Sequence, residues 1–229
     1  MKPLDILELF CGGGGAAMGY IQAGHKVTGV DTNANARTYY PGTFIHADAM
    51  RVITWRTIDR GFFLDNFDFI HASPPCQGWS TVTKRWINQN PRKYAKKYPN
   101  LIAPLRAFLQ KSGKPYIIEN VPGAPLEHPL KLCGLMFNLK LYRHRHFECS
   151  FPVAQPVHVK HDHQQPYSVY GNPRSSPKQN EVYAELVKSW PDQMGIYHIP
   201  PASRFFAEAI PPAFTKYIIE QYVAQVKSE

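Results

Sequence analysis

The sequence predicts an α/β domain built on a mostly parallel sheet with helices on both faces. Three observations lead there. Short apolar runs alternate with helix-compatible stretches through the N-terminal half, the first run ends in a glycine cluster, and the texture changes to Pro, His and Gln after Phe147. A chain of 229 residues with 44% apolar composition suffices for one such core and a small appendage.

The elements follow in order. Residues 4–10 form an apolar strand that runs into glycines, residues 16–23 suit a helix stopped at Gly24, and residues 26–30 form a second strand ending at Asp31. Further strands are expected at residues 43–46, 67–72 and 116–119, with a helix over about 101–111 between the last two. Residues 142–147 alternate as a strand, residues 181–190 suit a helix, and Phe214, Tyr217, Ile218, Tyr222 and Val226 carry helical spacing in a closing helix. The division expected is a core over 1–148, a reduced segment over 149–193 and a C-terminal return over 194–229.

Bulk properties narrow the setting. No apolar run reaches the roughly 18 residues of a membrane span, and the N-terminus lacks a signal-sequence pattern, so a cytoplasmic protein without a membrane partner is expected. Cys11, Cys76, Cys133 and Cys149 are scattered, which speaks against a disulfide framework or a structural zinc site. A net charge of +9 favours a polyanionic partner.

Cys11-Gly12-Gly13-Gly14-Gly15 between a strand and a helix brings bare amides and a helix N-terminus close to a ligand. Asp31 at the end of the second strand is placed to accept from a ribose diol, and Asp48 after the third to receive an adenine amino group. This pattern suits a nicotinamide or flavin dinucleotide equally well. It leaves the ligand's identity open.

Ser73-Pro74-Pro75-Cys76-Gln77-Gly78-Trp79-Ser80 follows a strand at the carboxyl edge of the sheet, where α/β ligands bind. Two prolines fix the backbone before the thiol and present Cys76. Ile117-Ile118-Glu119-Asn120-Val121 delivers a carboxyl group to the same edge, and burial there raises its pKa so that it holds a proton near neutral pH. A thiolate with a protonated carboxyl suits methylation at carbon 5 of cytosine: the thiolate adds to carbon 6 while ring nitrogen 3 receives the proton. Arg143 and Arg145 alternate to one side of their strand, able to hold a base carbonyl, a phosphate or Glu119.

These segments, Leu7-Glu8-Leu9-Phe10-Cys11-Gly12-Gly13-Gly14-Gly15, Pro-Pro-Cys76-Gln77, Glu119-Asn120-Val121 and Arg143-x-Arg145, resemble in order and spacing the motifs of the DNA cytosine-5 methyltransferases over residues 4–148. The resemblance is to a small, orphan or phage-type member. It implies a Rossmann-like S-adenosylmethionine-dependent methyltransferase fold, base flipping and duplex DNA as substrate. It also implies S-adenosylmethionine contacts from Phe10, Cys11, Gly12, Gly13, Gly14 and Pro74, with Asp31 on the ribose and Asp48 on the adenine. Leu132-Cys133-Gly134-Leu135-Met136-Phe137 resembles a further family segment and makes Cys133 a structural thiol. Ala207-Glu208-Ala209-Ile210-Pro211-Pro212 resembles the last motif, with Ala207 and Glu208 where Gly and Asn are usual. Glu208 there either meets the methionine amino group or faces solvent.

Lys84, Arg85, Arg92, Lys93, Lys96 and Lys97, interleaved with Trp86, Tyr94 and Tyr98, form a basic-aromatic stretch after Cys76 that is expected to face DNA with Gln77 and Ser80. The family's base reader usually lies between the paired-arginine and last motifs. Here that interval is short, and it offers His158, His161, His163, Tyr167, Asn172 and Arg174 to bases or phosphates. The three histidines have no nearby cysteine in sequence, and no metal is assigned. The chain is expected to act as a monomer. Alternatives are an RNA cytosine methyltransferase, whose Cys-Phe-Thr signature is absent, and a silent DNA-binding protein on the same scaffold.

Overall fold

The computed structural model describes residues 2–54, 63–80, 87–90, 93, 97, 99–158, 160–161 and 180–228, with 180–186 in backbone only. The strands are β1 (Asp5–Leu9), β2 (Lys26–Asp31), β3 (Thr43–His46), β4 (Phe69–Ala72), β5 (Tyr116–Asn120), β6 (Leu130–Cys133) and β7 (His144–Cys149). They form one sheet in the order β3-β2-β1-β4-β5-β7-β6. The first five run parallel, and β7 is antiparallel to both β5 and β6. The order reverses between β1 and β4, the switch point beyond whose strand ends a ligand crevice opens.

β1 buries apolar residues on both faces because both are covered, with Glu8 as a buried acid among them. Ile6 joins a core with Tyr20, Phe69, Phe147, Phe214 and Ile218, while Leu7 and Leu9 join Val30, Ile70, Leu105 and Ile118 on the opposite face. Helices α1 (Gly15–Gln22) and α6 (Pro212–Ser228) cover the first face, and α3 (Ile102–Ser112) covers the second. α1 and α6 pack closely at Gly19, where a Cβ would lie 2.2 Å from the Pro212 carbonyl oxygen. The buried Thr215 hydroxyl donates to the Ala16 carbonyl at 2.8 Å, which ties the C-terminal helix to the helix after the glycine loop.

The short helix α2 (Ala49–Val52) follows β3, and α4 (Asn180–Met194) and α5 (Arg204–Glu208) precede α6. α4 extends the expected 181–190 stretch and carries Pro191 within it. Trp190 and Met194 pack with Leu141, Ile196, Ile199 and Phe206 in a third core. No helix among the described residues is long and apolar enough to cross a membrane.

Two expectations about the second half of the sheet need correction. β6 lies in a stretch with no strand assigned from sequence, because Leu130 to Cys133 is too short to show alternation. The expected strand over 142–147 begins two residues later, at His144, and runs to Cys149. Its position is set by pairing with β5 and by Glu148, whose carboxylate receives Arg106 of α3 at 2.6 and 2.7 Å.

Candidate active site

One cavity of about 460 Å³ at the carboxyl ends of the strands joins the two halves of the sequence argument. Phe10, Cys11, Gly12, Gly13 and Asp31 line one side, Pro74, Cys76, Gln77, Glu119 and Arg145 the other, and Arg204, Phe205 and Glu208 of α5 close it.

The strand-to-helix turn is held in an uncommon backbone shape. Phe10 has φ 59° and Gly12 φ 50°, so the chain reverses sharply as β1 ends. Asp31 fixes this turn: one carboxylate oxygen accepts from the Gly12 amide at 2.9 Å and the other from the Asn33 amide at 2.8 Å. Each oxygen keeps a second lone pair for a ligand hydroxyl. A Cβ on Gly12 would meet no protein atom within 4 Å, so a side chain there would occupy the cavity itself. That open cradle fits a nucleoside-type cofactor approaching backbone.

Gly14 and Asp48 are not among the residues lining the cavity. Gly14 is the left-handed N-cap of α1, outside the lining. Asp48 is exposed, also outside the lining, and its carboxylate caps α2 by accepting from the Met50 amide at 2.8 Å. A strand-end acid one residue before a helix can serve as its cap, and this one does.

The loop after β4 is clamped from two sides. Asn120, 1% exposed, donates to the Pro74 carbonyl at 2.9 Å. The Cys76 carbonyl accepts from the Trp79 and Ser80 amides at 2.9 and 3.0 Å, closing a turn that leaves the thiol half-buried at the cavity. Burial, then the nearby Glu119 carboxylate, push the Cys76 thiol up, while Arg145 opposes them. The free protein therefore holds Cys76 mainly as a thiol near neutral pH.

Glu119 at the end of β5 receives Arg145 Nε at 3.0 Å. Burial raises its pKa more than Arg145, Arg143 and the Ser73 hydroxyl lower it. Ser73 also contacts His71 Nε2 at 3.0 Å, and His71 Nδ1 contacts the Tyr20 hydroxyl at 3.1 Å. Burial holds the His71 imidazole down at about 3, so it is neutral. This line from Tyr20 through His71 and Ser73 to Glu119 could not be seen in the sequence, nor could the clamp from Asn120 to Pro74.

Arg143 and Arg145 part ways. Arg143 precedes β7, is buried, and donates to the Ala207 carbonyl at 2.7 Å, outside the cavity lining. Side-chain alternation holds only within a strand, and Arg143 lies outside it. Ala207 is thus held through its backbone, and Glu208 turns to Arg204 Nε at 2.8 Å within the lining. Arg204 and Phe205 were not singled out from the sequence, since their place here depends on the C-terminal return. Lys93 and Lys97 are exposed. Lys84, Arg85, Arg92, Lys96 and Arg174 lie outside the described residues.

Beneath the cavity Glu8, 1% exposed, accepts from the Tyr40 hydroxyl at 2.8 Å. Burial lifts its pKa from 4.5 to about 8. Unfolded Glu8 loses its proton first, so the stability from a neutral folded Glu8 is full at low pH. It is lost as pH rises from about 4.5 to about 8, with a slope approaching about 1.4 kcal/mol per pH unit. Glu8→Gln is expected to flatten the fall in urea-unfolding stability between about pH 6 and pH 8. An equal slope in both proteins would discard this role.

An α/β sheet of this order with a glycine cradle, a thiol and a buried acid at one edge fits a Rossmann-like S-adenosylmethionine-dependent methyltransferase fold. The sequence model of the C-5 cytosine-specific DNA methylase family matches residues 4–129. The chain belongs to that family, and membership implies S-adenosylmethionine as methyl donor.

Among curated relatives, the tRNA (cytosine(38)-C(5))-methyltransferase of Mus musculus is 32% identical over 131 residues, covering 54% of this chain and 30% of the relative. The type II methyltransferase M.AgeI of Thalassovita gelatinovora is 27% identical over 128 residues, covering 52% and 28%. The chain thus spans less than a third of the length of either. Among solved structures, the Dnmt2 methyltransferase of S. pombe aligns over 98% of this chain and 99% of its own, with TM-score 0.56 at 15% identity. The Entamoeba histolytica methyltransferase EhMeth aligns over 99% of each chain, with TM-score 0.60 at 10% identity. These two share the fold.

Proposed function

We propose that the chain methylates carbon 5 of cytosine in duplex DNA, with Cys76 as nucleophile and Glu119 as proton donor. The observation that carries the reading is the single cavity in which the Gly12 cradle, Cys76 and Glu119 meet. S-adenosylmethionine supplies an electrophilic methyl group when bound.

Cys76, once its thiol proton has passed to solvent, adds as the thiolate to carbon 6 of the ring as Glu119 protonates nitrogen 3, which places electron density on carbon 5. Carbon 5 takes the methyl group as the donor's sulfur–carbon bond breaks, a base removes the carbon 5 proton, and Cys76 departs as the thiolate while nitrogen 3 returns its proton to Glu119, which restores the aromatic ring. Arg145 orients Glu119, and Asn120 positions the cysteine loop through Pro74. Arg143 acts at a distance, by joining the entry of β7 to α5. A cytosine can reach a thiol in such a cavity only out of the base stack, so flipping is part of the reading.

Lys93 and Lys97, with Lys84, Arg85, Arg92 and Lys96, would meet phosphates, and the 149–193 segment would read a short site. Support for DNA comes from the description of the matching family and from the M.AgeI relative. The mouse relative favours a second reading, transfer RNA. Labelled methyl incorporation into duplex DNA is expected to exceed that into transfer RNA. The reverse preference would overturn the DNA reading while leaving cytosine-5 chemistry in place.

A further inference from the structure

Away from the cavity, the structure gathers four side chains that the sequence keeps far apart. Cys133, the last residue of β6, pairs in register with His144, the first of β7. The chain leaving β7 returns with His158 and His161 to the same spot. One ligand atom from each of the four lies within 4.8 Å of the others. His144 Nε2 and His158 Nε2 are 3.1 Å apart, and Cys133 Sγ and His161 Nε2 are 3.4 Å apart.

We infer that Cys133, His144, His158 and His161 form a closed, four-ligand site for a divalent zinc-type ion. Zinc lies about 2.0–2.1 Å from imidazole nitrogen and about 2.3 Å from thiolate sulfur. In a tetrahedron those bonds give edges of about 3.3 Å between nitrogens and about 3.6 Å between nitrogen and sulfur. The two close contacts match such edges, and a small inward movement of the remaining pairs completes the figure.

Hydrogen bonding accounts for less of the arrangement. The paired Nε2 atoms of His144 and His158 can share only one proton, and a thiol is a weak partner for His161. Three imidazoles converging on one thiol have instead the make-up of a tetrahedral nitrogen-sulfur site. The cluster contains no oxygen ligand, which disfavours calcium and magnesium. Binding releases the Cys133 thiol proton, since the thiolate is the ligand.

The site has an orienting support of its own. The His161 ring stacks on Tyr142 at 4.0 Å between centroids and 3° between planes, which fixes the direction of its nitrogen. Four protein ligands leave no open position, the mark of a structural ion. Its effect would be to pin the chain at 158–161 onto the β6–β7 pair, one residue from Arg145. In sequence no cysteine lies near His158 and His161. The antiparallel pairing of β6 and β7 supplies one.

Untagged protein is expected to carry about one equivalent of zinc by elemental analysis and, once stripped, to bind cobalt(II) with intense tetrahedral absorption and a thiolate charge-transfer band. Cys133→Ser removes that band. The His158→Ala/His161→Ala double variant weakens cobalt binding by more than about 100-fold, beyond the 10- to 100-fold typical of losing an outer partner. It does so while unfolding at the same temperature as stripped wild type. Substoichiometric metal, an octahedral cobalt spectrum, or undiminished binding by the double variant would overturn the site. If Cys133→Ser fails to fold, the double variant decides, because His158 is exposed. These readouts are independent of which nucleic acid is methylated.

Discussion

Cys76→Ser is expected to lower methyl transfer to cytosine by at least about 10⁴-fold, or about 5.4 kcal/mol of transition-state stabilisation. A serine hydroxyl in this half-buried place lacks both the acidity and the polarisability to add to a pyrimidine ring. The glycine turn, Asp31 and the clamp from Asn120 do not involve the sulfur, so binding of S-adenosylhomocysteine should remain within about twofold of wild type by calorimetry. Duplex DNA containing 5-fluorocytosine should trap wild type in a denaturant-stable complex, because the fluorine on carbon 5 cannot leave as a proton does. Cys76→Ser should give none. Methylation persisting in a Cys76→Ser protein would remove this thiol from the mechanism.

The contrast between what the sequence revealed and what it hid follows from the range of the interactions. The turn after β1 was legible because glycines and an apolar run are local signals, and the Asp31 position followed from strand length. Cys76 and Glu119 were legible because a proline pair and a strand end direct them to the sheet edge without help from distant residues. Asp48 could be placed at the strand end, but its capping of α2 through one carboxylate oxygen depends on the next helix turn. Arg143 and Arg145 looked equivalent under alternation. The start of β7 at His144 separates them, sending one guanidinium to Ala207 and the other to Glu119. Arg204 and the four-ligand cluster depend on chain returns that leave no local periodicity. The β6–β7 register, which sets Cys133 opposite His144, is one of these.

Glu119→Gln tests whether the cavity's two reacting groups are coupled as their placement requires. Glutamine keeps the size of the side chain but has no proton to deliver, so methyl transfer is expected to fall about 10²- to 10⁴-fold, or about 2.7–5.4 kcal/mol. A collapsed cavity would also slow the reaction, and a second readout separates the two. The Glu119 charge pushes the Cys76 thiol up and the Arg145 guanidinium pulls it down. At a pH where Glu119 has lost its proton, removing the carboxylate should therefore increase the thiolate fraction and speed alkylation of Cys76 by iodoacetamide, even as catalysis fails. Arg145→Ala should move the thiol the other way and slow alkylation. A Glu119→Gln protein that loses both activity and thiol reactivity would show structural damage, and one that keeps full activity would remove Glu119 from proton delivery. The expected pattern, a more reactive cysteine in a less active enzyme, arises only if carboxyl and thiol share one electrostatic site.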